Sequence, residues 1–322
     1  MDAKGRSNTP AFFFMILGDY RVEIVPDTEF RLDGGAMFGV VPRVLWERVS
    51  PPDERNRVTL TCNCLFIDTG KKKILIETGM GEKWSPRETE MYGIHRDRPF
   101  ADSLHSIAGC VPGDIDIVIN THLHFDHAGG NTISTGTHPP RVQPAETYRS
   151  RFAPTAVDDR GLAGEPPAFR PQFKNARYLV SRSEFDAAER PHERDRASYL
   201  PQNWQPLIDS QQLDLMPDSY EPVDGLVIEQ VRGHSETMQT IKLTRGGETL
   251  FGFFDMIPTR HHLAPAWIMS YDLFPTETLA FKKRILPQAL EENWVCHFYH
   301  DPEMALGRLA EVDGKIRALP IA

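Results

Sequence analysis

The sequence lacks any apolar run long enough to cross a membrane. No hydrophobic stretch approaches the ~18 residues that a transmembrane helix requires. The stretch AFFFMILG, at 11–18, is short, has no small-x-small cleavage site, and continues directly into Asp19-Tyr20-Arg21. We therefore predict that it forms a first buried β-strand, and we expect no membrane partner.

Cysteine is also scarce, with four residues in a chain of 322. The disulfide framework of a secreted protein needs more cysteines for a chain of this length. Cys62 and Cys64 are two residues apart in a strand-like segment, so they face the same side and are poorly placed to bridge. We interpret these two, Cys110 and Cys296 as buried thiols of a cytoplasmic protein.

Concentrated positive charge is absent as well. The net charge is -9, and the one short lysine run, Lys71-Lys72-Lys73, lies between two strand-like segments as a hairpin turn would. Proteins that bind nucleic acid usually present a basic surface, so we expect no nucleic-acid partner. With 40% hydrophobic and 25% charged residues, the chain has the composition of a globular protein with a large core.

Strand-like and helix-like segments alternate, with strands predominating in both halves. This order predicts a layered α/β architecture with mixed sheets, and the glycine-rich segment 32–42 is predicted to be a loop. The predicted strands are 22–25, 59–68, 73–78, 115–119, 176–180, 225–231, 240–243 and 249–254. The predicted helices are 101–108, 183–189, 194–215, 281–290 and 302–309.

The segment 132–172 is rich in proline and has no sustained periodicity. Structureless stretches of this length are uncommon in compact domains and usually have a function. We predict a single domain over 1–322, with this segment as an insertion over a site mouth or at a subunit contact. The insertion and the apolar first strand are compatible with a homodimer as well as with a monomer.

Three of the 12 histidines lie in one short run, THLHFDHAGGN, together with an aspartate. The run follows a strand-like apolar segment, so a loop at the end of the strand can present these side chains at one spot. His122 and His124 are two residues apart and can reach one metal ion, whereas Asp126 and His127 can reach a second. Three imidazoles and a carboxylate suit zinc, iron, manganese or cobalt better than calcium or magnesium.

Three later segments present further candidate ligands after strand-like runs. His234 follows Gly233, which permits a sharp turn, and Asp255 follows the apolar run LFGFF. A carboxylate between two cations can use both oxygens, so Asp255 is the natural bridge. Near the end of the chain, His297 and His300 are both candidates for the last ligand.

The order His-x-His-x-Asp-His-Ala-Gly-Gly-Asn, Gly-His-Ser, Asp and His-Asp resembles the metallo-β-lactamase superfamily over most of the chain. The resemblance implies a four-layer αβ/βα sandwich with two mixed β-sheets and a dinuclear metal site at their edge. It implies that one ion is held by His122, His124 and His234, the other by Asp126, His127 and His300, with Asp255 as the bridge. His300 is preferred to His297 because the family's last histidine is commonly followed by aspartate, here Asp301.

One position departs from the family pattern. The family usually has Asp-Thr-Gly after its early hairpin, and this chain has Glu77-Thr78-Gly79. The position supports the site rather than binding metal. We expect Glu77 and Asp301 to orient imidazoles of the site.

Within the superfamily, the segments 32–42 and 51–57 and the run Tyr299-His-Asp resemble the quorum-quenching N-acyl-homoserine lactonases, near the methyl parathion hydrolases. The resemblance implies a hydrolase that opens a lactone ring with a hydroxide held between two divalent ions. Zinc is the expected metal, and iron, manganese or cobalt also suit the ligands. Asp126 would also take and return the proton of the attacking water. The alternative is a phosphotriesterase or arylesterase that uses the same dinuclear site.

Four residues are candidates for contact with a small ester or lactone substrate. Met37 and Phe38, in the glycine-rich loop, could lie over an apolar tail, and ordinary core packing explains them equally well. His262 and Tyr271 could donate a hydrogen bond to a carbonyl or leaving group; a solvated histidine and a packed tyrosine are the alternatives. A diiron redox enzyme would need a flavin domain, for which the chain has no room.

Overall fold

The computed structural model describes residues 14–136 and 168–321. Within these ranges, no helix is both long enough and apolar enough to span a membrane. The four cysteines are free and buried, as predicted.

Strands outnumber helices along the described chain. The strands are β1 (Phe14–Leu17), β2 (Tyr20–Asp33), β3 (Arg57–Asp68), β4 (Lys73–Ile76), β5 (Ile117–Ile119), β6 (Thr132–Ser134), β7 (Phe169–Pro171), β8 (Arg177–Ser181), β9 (Leu213–Met216), β10 (Ser219–Val223), β11 (Leu226–Gln230), β12 (Gln239–Arg245), β13 (Glu248–Gly252), β14 (Val295–His297), β15 (Leu306–Val312) and β16 (Lys315–Pro320). The α-helices are α1 (Gly34–Phe38), α2 (Arg43–Trp46), α3 (Pro86–Tyr92), α4 (Phe100–Ala108), α5 (Phe125–Ala128), α6 (Arg182–Glu189), α7 (Gln205–Asp209) and α8 (Pro275–Glu291).

The strands form two large sheets and one small one. The order of the first sheet is β1-β2-β3-β4-β5-β8-β9, and that of the second is β10-β11-β12-β13-β14-β15-β16. In the first sheet β4, β5, β8 and β9 pair in parallel, and in the second only β13 and β14 do so. The prediction of a layered α/β architecture with mixed sheets is confirmed.

The central strands of the first sheet are buried on both faces. In β3 and β4, consecutive residues are buried instead of every second one, as expected where layers cover both sides of a sheet. By contrast, β11 and β16 alternate between less and more exposed positions, so one of their faces meets solvent. One continuous apolar core contains residues of both sheets.

The first strand is only partly buried, with Leu17 in the core and Phe14 and Ile16 facing solvent, which corrects the prediction of a buried strand at 11–18. β1 pairs only with β2 at the edge of its sheet, and Phe14 and Ile16 are 62% and 55% exposed. An apolar sequence does not by itself bury an edge strand, because burial needs a layer that covers it. The predicted residues before Phe14 lie outside the described part.

Two predicted helices are wrong. The segment 194–215 contains two 3-10 turns, the short helix α7 and the strand β9; Pro201 begins one of the turns and Pro206 lies in the first turn of α7. The segment 302–309 leads into β15, which pairs with both β14 and β16.

The glycine-rich segment 32–42, predicted to be a loop, contains the short helix α1. Asp33 caps the first turn of this helix by accepting a hydrogen bond from the Ala36 amide.

The two ends of the predicted insertion pair with each other as β6 and β7, an antiparallel two-stranded sheet. Residues 137–167 lie outside the described part of the chain. The single domain with an insertion, and its placement at a site mouth or a subunit contact, therefore stay predictions.

A buried ion pair fixes the segment that follows β4. Arg96 binds the carboxylate of Asp27 and donates to the Gly81 carbonyl at 2.8 Å, and the Asp27 side chain is fully buried. Lys83 donates to the carbonyls of Gly129, within the histidine-rich run, and Thr132, directly after it. These contacts hold the segment 79–83 against the loop that carries the histidines.

We predict that Arg96→Met destabilises the fold by about 3–5 kcal/mol, because it leaves the buried Asp27 carboxylate without its cation. The measurement is the free energy of unfolding by chemical denaturation. Arg55→Met is the matched control, since Arg55 and Glu90 form an exposed pair 2.9 Å apart and a surface pair contributes about 0–1 kcal/mol. Equal losses in the two variants would contradict a structural role for the buried pair.

Candidate metal centre

The histidine-rich run begins at the carboxyl end of β5. This strand lies between the parallel neighbours β4 and β8, and the chain then turns through Asn120 and Thr121 into the single-turn helix α5. The carboxyl ends of parallel strands meet at one edge of a sheet, where ligands commonly bind. The run therefore presents its side chains at this edge, as predicted from its position after an apolar strand.

Three imidazoles form the first group of potential ligands. His122, His124 and His234 each place a ring nitrogen within 4.8 Å of the others. His234 Nε2 lies 3.2 Å from His124 Nδ1, and the centroids of the His122 and His124 rings are 4.5 Å apart. All three side chains are buried, so the nitrogens converge on one point of the interior.

The second group combines two carboxylates with two imidazoles: Asp126, His127, Asp255 and His300. Asp255 Oδ1 lies 3.2 Å from His127 Nε2 and 3.1 Å from His300 Nε2. Asp126 Oδ2 lies 3.5 Å from His300 Nε2. This set combines ligands from the histidine-rich run with ligands that follow two strands of the other sheet.

Asp255 also reaches the first group through its other oxygen. Its Oδ2 lies 3.2 Å from His234 Nε2 and 4.0 Å from His122 Nε2. One carboxylate oxygen thus faces each group, which is the arrangement that a carboxylate bridging two cations requires.

The pKa values of residues in the centre are set by burial and by the charges of neighbouring residues. Burial, together with the neighbouring imidazoles, holds the pKa of both His122 and His124 well below the usual range, so these rings keep lone pairs that can bind metal. Burial would raise the pKa of Asp255, but His127, His300 and His234 hold it well below its usual range. In turn, burial lowers the pKa of His127, but Asp255 and Asp126 raise it well above its usual value.

The residues present fit two metal ions. His122 Nε2 is fully buried and makes no hydrogen bond to any residue in the described ranges, yet it points into the centre. Buried polar atoms without partners are rare and call for an explanation such as a missing ion. Imidazole and carboxylate donors at this density suit a borderline divalent ion.

Glu77 contacts both the start of the histidine-rich run and one imidazole of the centre. Its carboxylate accepts hydrogen bonds from the Thr121 amide at 3.0 Å and the Asn120 side chain at 3.2 Å, and it lies 3.5 Å from His127 Nδ1. The backbone of Glu77 has a φ of 63°, an uncommon angle for a residue other than glycine. The glutamate in place of the usual aspartate therefore contacts both the loop and an imidazole.

Other partners of the imidazoles differ from those that the sequence suggests. Asp301 accepts hydrogen bonds from Arg260 and from backbone amides that follow it instead of orienting an imidazole. The Thr61 carbonyl lies 2.8 Å from His300 Nδ1 and occupies that role. Sequence reasoning missed Asp272, which is 3.1 Å from His234 Nδ1, because no motif marks it.

His297 lies outside both groups of potential ligands. Its Nε2 is 2.8 Å from the Asn63 carbonyl, and burial lowers its pKa to about 4. The ring is fully buried and links β14 to β3. The structure thus brings His300, and not His297, to the centre.

Met37, Phe38 and His262 lie in the core instead of lining an open surface. Phe38 stacks on the ring of Trp46, 5.3 Å away, and on that of His262, 4.8 Å away. Both nitrogens of His262 are engaged, one with the Thr259 hydroxyl at 2.8 Å and one with the Met37 carbonyl at 2.9 Å. Burial lowers the pKa of His262 to about 3. The expectation that His262 donates to a substrate is not supported, because both nitrogens already have partners.

Tyr271 is 38% exposed. Burial of its inner part, then the negative charges of Asp33 and Asp126, raise its pKa to about 12. Burial and the charge of Asp126 also raise the pKa of Tyr92. The negative charge of Asp126 therefore contributes to the raised pKa of both Tyr271 and Tyr92.

A cluster of three aromatic rings adjoins Asp126. Phe125, directly before Asp126 in the chain, lies 5.2 Å from Tyr92 and 5.5 Å from Trp84 between ring centroids. Tyr92 and Trp84 belong to the segment between β4 and α4, and no sequence motif points to either of them. Only their packing against the histidine-rich run marks them.

Comparisons with known proteins identify similar sequences and folds. A model of the metallo-beta-lactamase superfamily matches residues 57–173. An N-acyl homoserine lactonase of Bacillus cereus is 24% identical over 264 residues, which are 78% of this chain and 86% of that protein. A probable metal-dependent hydrolase from Staphylococcus aureus superposes with a TM-score of 0.79 at 27% identity, over 96% of this chain and 99% of that one.

A third similar structure is AidC, described as a dizinc quorum-quenching lactonase in complex with a product. It superposes with a TM-score of 0.68 at 19% identity, over 96% of this chain and 97% of that one. The likeness to AidC concerns the fold. The fold and these matches give the chain a metallo-β-lactamase-type fold, and its buried ligand groups are those of a metal-dependent hydrolase.

We predict that His300→Gln lowers the metal content below two ions per chain, because it removes a nitrogen that faces both Asp255 and Asp126. His297→Gln is the matched control and should leave two ions, since His297 contacts a backbone carbonyl outside the centre. The measurement is elemental analysis of purified protein. Loss of metal from the His297 variant alone would exchange the roles of the two histidines.

Proposed function

We propose that the chain is a dinuclear metallohydrolase that opens the ring of an N-acyl-homoserine lactone or a similar lactone. The observation that carries this proposal is Asp255, whose two oxygens face two separate groups of buried ligands. The similarity to an N-acyl homoserine lactonase over most of both chains supports the lactone as substrate. We propose zinc as the metal, in keeping with the imidazole-rich ligand set.

The proposed ligands divide into two groups around the bridge. We assign His122, His124 and His234 to one ion, Asp126, His127 and His300 to the other, and Asp255 to both. Two divalent ions held there would lower the pKa of a shared water molecule from ~15.7 to about 7 and polarise a substrate carbonyl. The burial of all seven side chains excludes bulk water from the ligand side of the centre.

Asp126 has a second proposed role as the proton carrier. Its Oδ2 is 3.5 Å from His300 Nε2 and its Oδ1 is 4.0 Å from His127 Nε2, so both carboxylate oxygens face the centre. A carboxylate in this position can accept the proton of the attacking water. It can then return that proton to the alkoxide that forms when the lactone ring opens.

The aromatic cluster of Trp84, Tyr92 and Phe125 is the proposed wall for the apolar part of the substrate. It adjoins Asp126 and offers ring faces that an acyl chain can pack against. Tyr271 is the proposed donor of a hydrogen bond to the substrate, since it is partly exposed and the charge of Asp126 acts on its phenol. Met37 and Phe38 are buried in the core, so we assign them no direct contact with the substrate.

The same cluster favours a second candidate function, hydrolysis of phosphotriesters or aryl esters. Three aromatic rings beside a potential metal ligand also suit a compact aryl leaving group. The two candidates differ in what the wall must accommodate, a flexible chain or a flat ring.

The test is a hydrolysis screen on protein of known metal content. The panel contains acyl-homoserine lactones of several chain lengths, simple γ- and δ-lactones, paraoxon-type triesters, aryl esters and a chromogenic cephalosporin. We expect preferential lactone turnover that EDTA abolishes and added zinc restores. Dependence on chain length would measure how much apolar surface the wall provides.

The other outcomes separate the candidates. Turnover of triesters or aryl esters without lactones would reject the lactonase proposal in favour of the second candidate. Preferential cephalosporin turnover, or no turnover across the panel with two metals bound, would reject both substrate classes. Lactone turnover that survives complete removal of metal would reject the proposed chemistry.

Asp255→Ala should remove at least one metal and nearly all hydrolytic activity, because it deletes the oxygens that face both ligand groups. Metal content by elemental analysis and kcat on the best substrate of the panel are the two readouts. A variant that keeps two ions and normal turnover would rule out the bridging role of Asp255.

A further inference from the structure

Asp272 is a buried carboxylate that contacts a proposed ligand from outside the centre. Its Oδ1 lies 3.1 Å from His234 Nδ1, and its side chain is 1% exposed. The opposite nitrogen of the same ring, Nε2, lies 3.2 Å from Asp255 Oδ2. His234 is therefore held between two carboxylates, of which only Asp255 belongs to the ligand groups.

The second oxygen of Asp272 is fixed by the helix that follows it. Thr278, in the first turn of α8, donates its hydroxyl to Asp272 Oδ2 at 2.7 Å. This approach depends on Gly233, because a Cβ there would lie 2.7 Å from Thr278 Oγ1 and 2.5 Å from Met256 Cε. One oxygen of Asp272 therefore accepts a hydrogen bond from helix α8, and the other contacts the His234 imidazole.

Backbone hydrogen bonds also hold the segment of Asp272 beside the segment of His234. The Leu273 amide donates to the His234 carbonyl at 2.9 Å, and the Phe274 amide donates to the Gly233 carbonyl at 2.8 Å. The guanidinium of Arg232 lies 3.6 Å from the centroid of the Phe274 ring. Two chain segments paired along their backbones thus hold Asp272 beside His234.

We infer that Asp272 is the positioning residue for His234. It accepts the hydrogen of Nδ1, which fixes the tautomer and leaves the Nε2 lone pair directed at the position formed by His122, His124 and His234. The inference rests on the metal centre of the proposed function and not on its substrate. Loss of such a partner typically costs about 10- to 100-fold in metal affinity.

The contact made by Asp272 concerns only the metal position formed by His122, His124 and His234. His300, in the other group, is supported by the Thr61 carbonyl at 2.8 Å, and His127 is supported by Glu77 at 3.5 Å. Neither contact involves Asp272. Weakening Asp272 should therefore loosen the ion of the three-histidine position and leave the other ion in place.

The test is the release of metal to a chelator from the fully loaded full-length protein, followed for each ion. Asp272→Asn keeps the size of the side chain and removes its charge. We expect one ion to leave about 10- to 100-fold faster than from the unsubstituted protein, with the second ion unchanged. In cobalt-substituted protein, the visible bands of one cobalt ion should shift, which a purely structural role for Asp272 would not cause.

Asp53→Asn is the control for loss of a carboxylate away from the centre. Asp53 pairs with Arg31 at 3.1 Å and with Arg57 at 2.8 Å, and both ions should leave this variant at the normal rate. Thr278→Val is a milder second variant that deletes only the hydroxyl on Asp272, and it decides the question if Asp272→Asn does not fold. It should speed the release of the same ion by a smaller factor.

Two outcomes would overturn the inference: release of both ions at the normal rate, or equal acceleration of both. The readout does not depend on any substrate. Selective loss of one ion from a protein that opens no lactone would therefore keep the inference and reject the proposed substrate.

Discussion

The centre depends on placing the Asp255 carboxylate inside the protein among imidazoles. A buried carboxylate costs several kcal/mol unless opposite charges compensate it, and here His127, His300 and His234 do so strongly enough to hold its pKa well below the usual range. Asp255 follows β13 of the second sheet, whereas the histidine-rich run follows β5 of the first. The interaction therefore exists only when the two sheets are packed together, which makes the site a product of the whole fold.

Two residues beside this centre have backbone angles that are unusual for residues other than glycine. Glu77 and Phe254, neither of which is glycine, have φ values of 63° and 47°. Such angles cost about 1–3 kcal/mol each and persist only where the surrounding structure enforces them. Glu77 supports His127, and Phe254 directly precedes Asp255. The backbone of Gly130 approaches so closely that a Cβ would lie 2.2 Å from the Thr78 carbonyl oxygen, which requires glycine at this position of the histidine-rich run.

The parts of the site that the sequence predicts are those carried by short runs of chain. His122 and His124 are two residues apart in one motif, and Asp255 follows an apolar strand, so their layout is visible without a structure. Asp272 is 38 residues from His234, and no periodicity or motif connects the two. The same limit explains β15, which was predicted as a helix: its pairing with β14 and β16 outweighs the local pattern.

Two of the residues proposed to contact substrate, Phe125 and Tyr271, lie in the same short segments as residues of the metal centre or its partners. Phe125, in the aromatic cluster, stands between His124 and Asp126 in the chain, so a shift of its backbone moves a ligand on either side. On another segment, the exposed Tyr271 directly precedes Asp272, which contacts His234. Phe125 and Tyr271 are therefore each adjacent in the chain to a residue of the centre or to a residue that contacts it. Because the spacing is so short, the shape of the substrate wall and the retention of metal cannot vary independently in this fold.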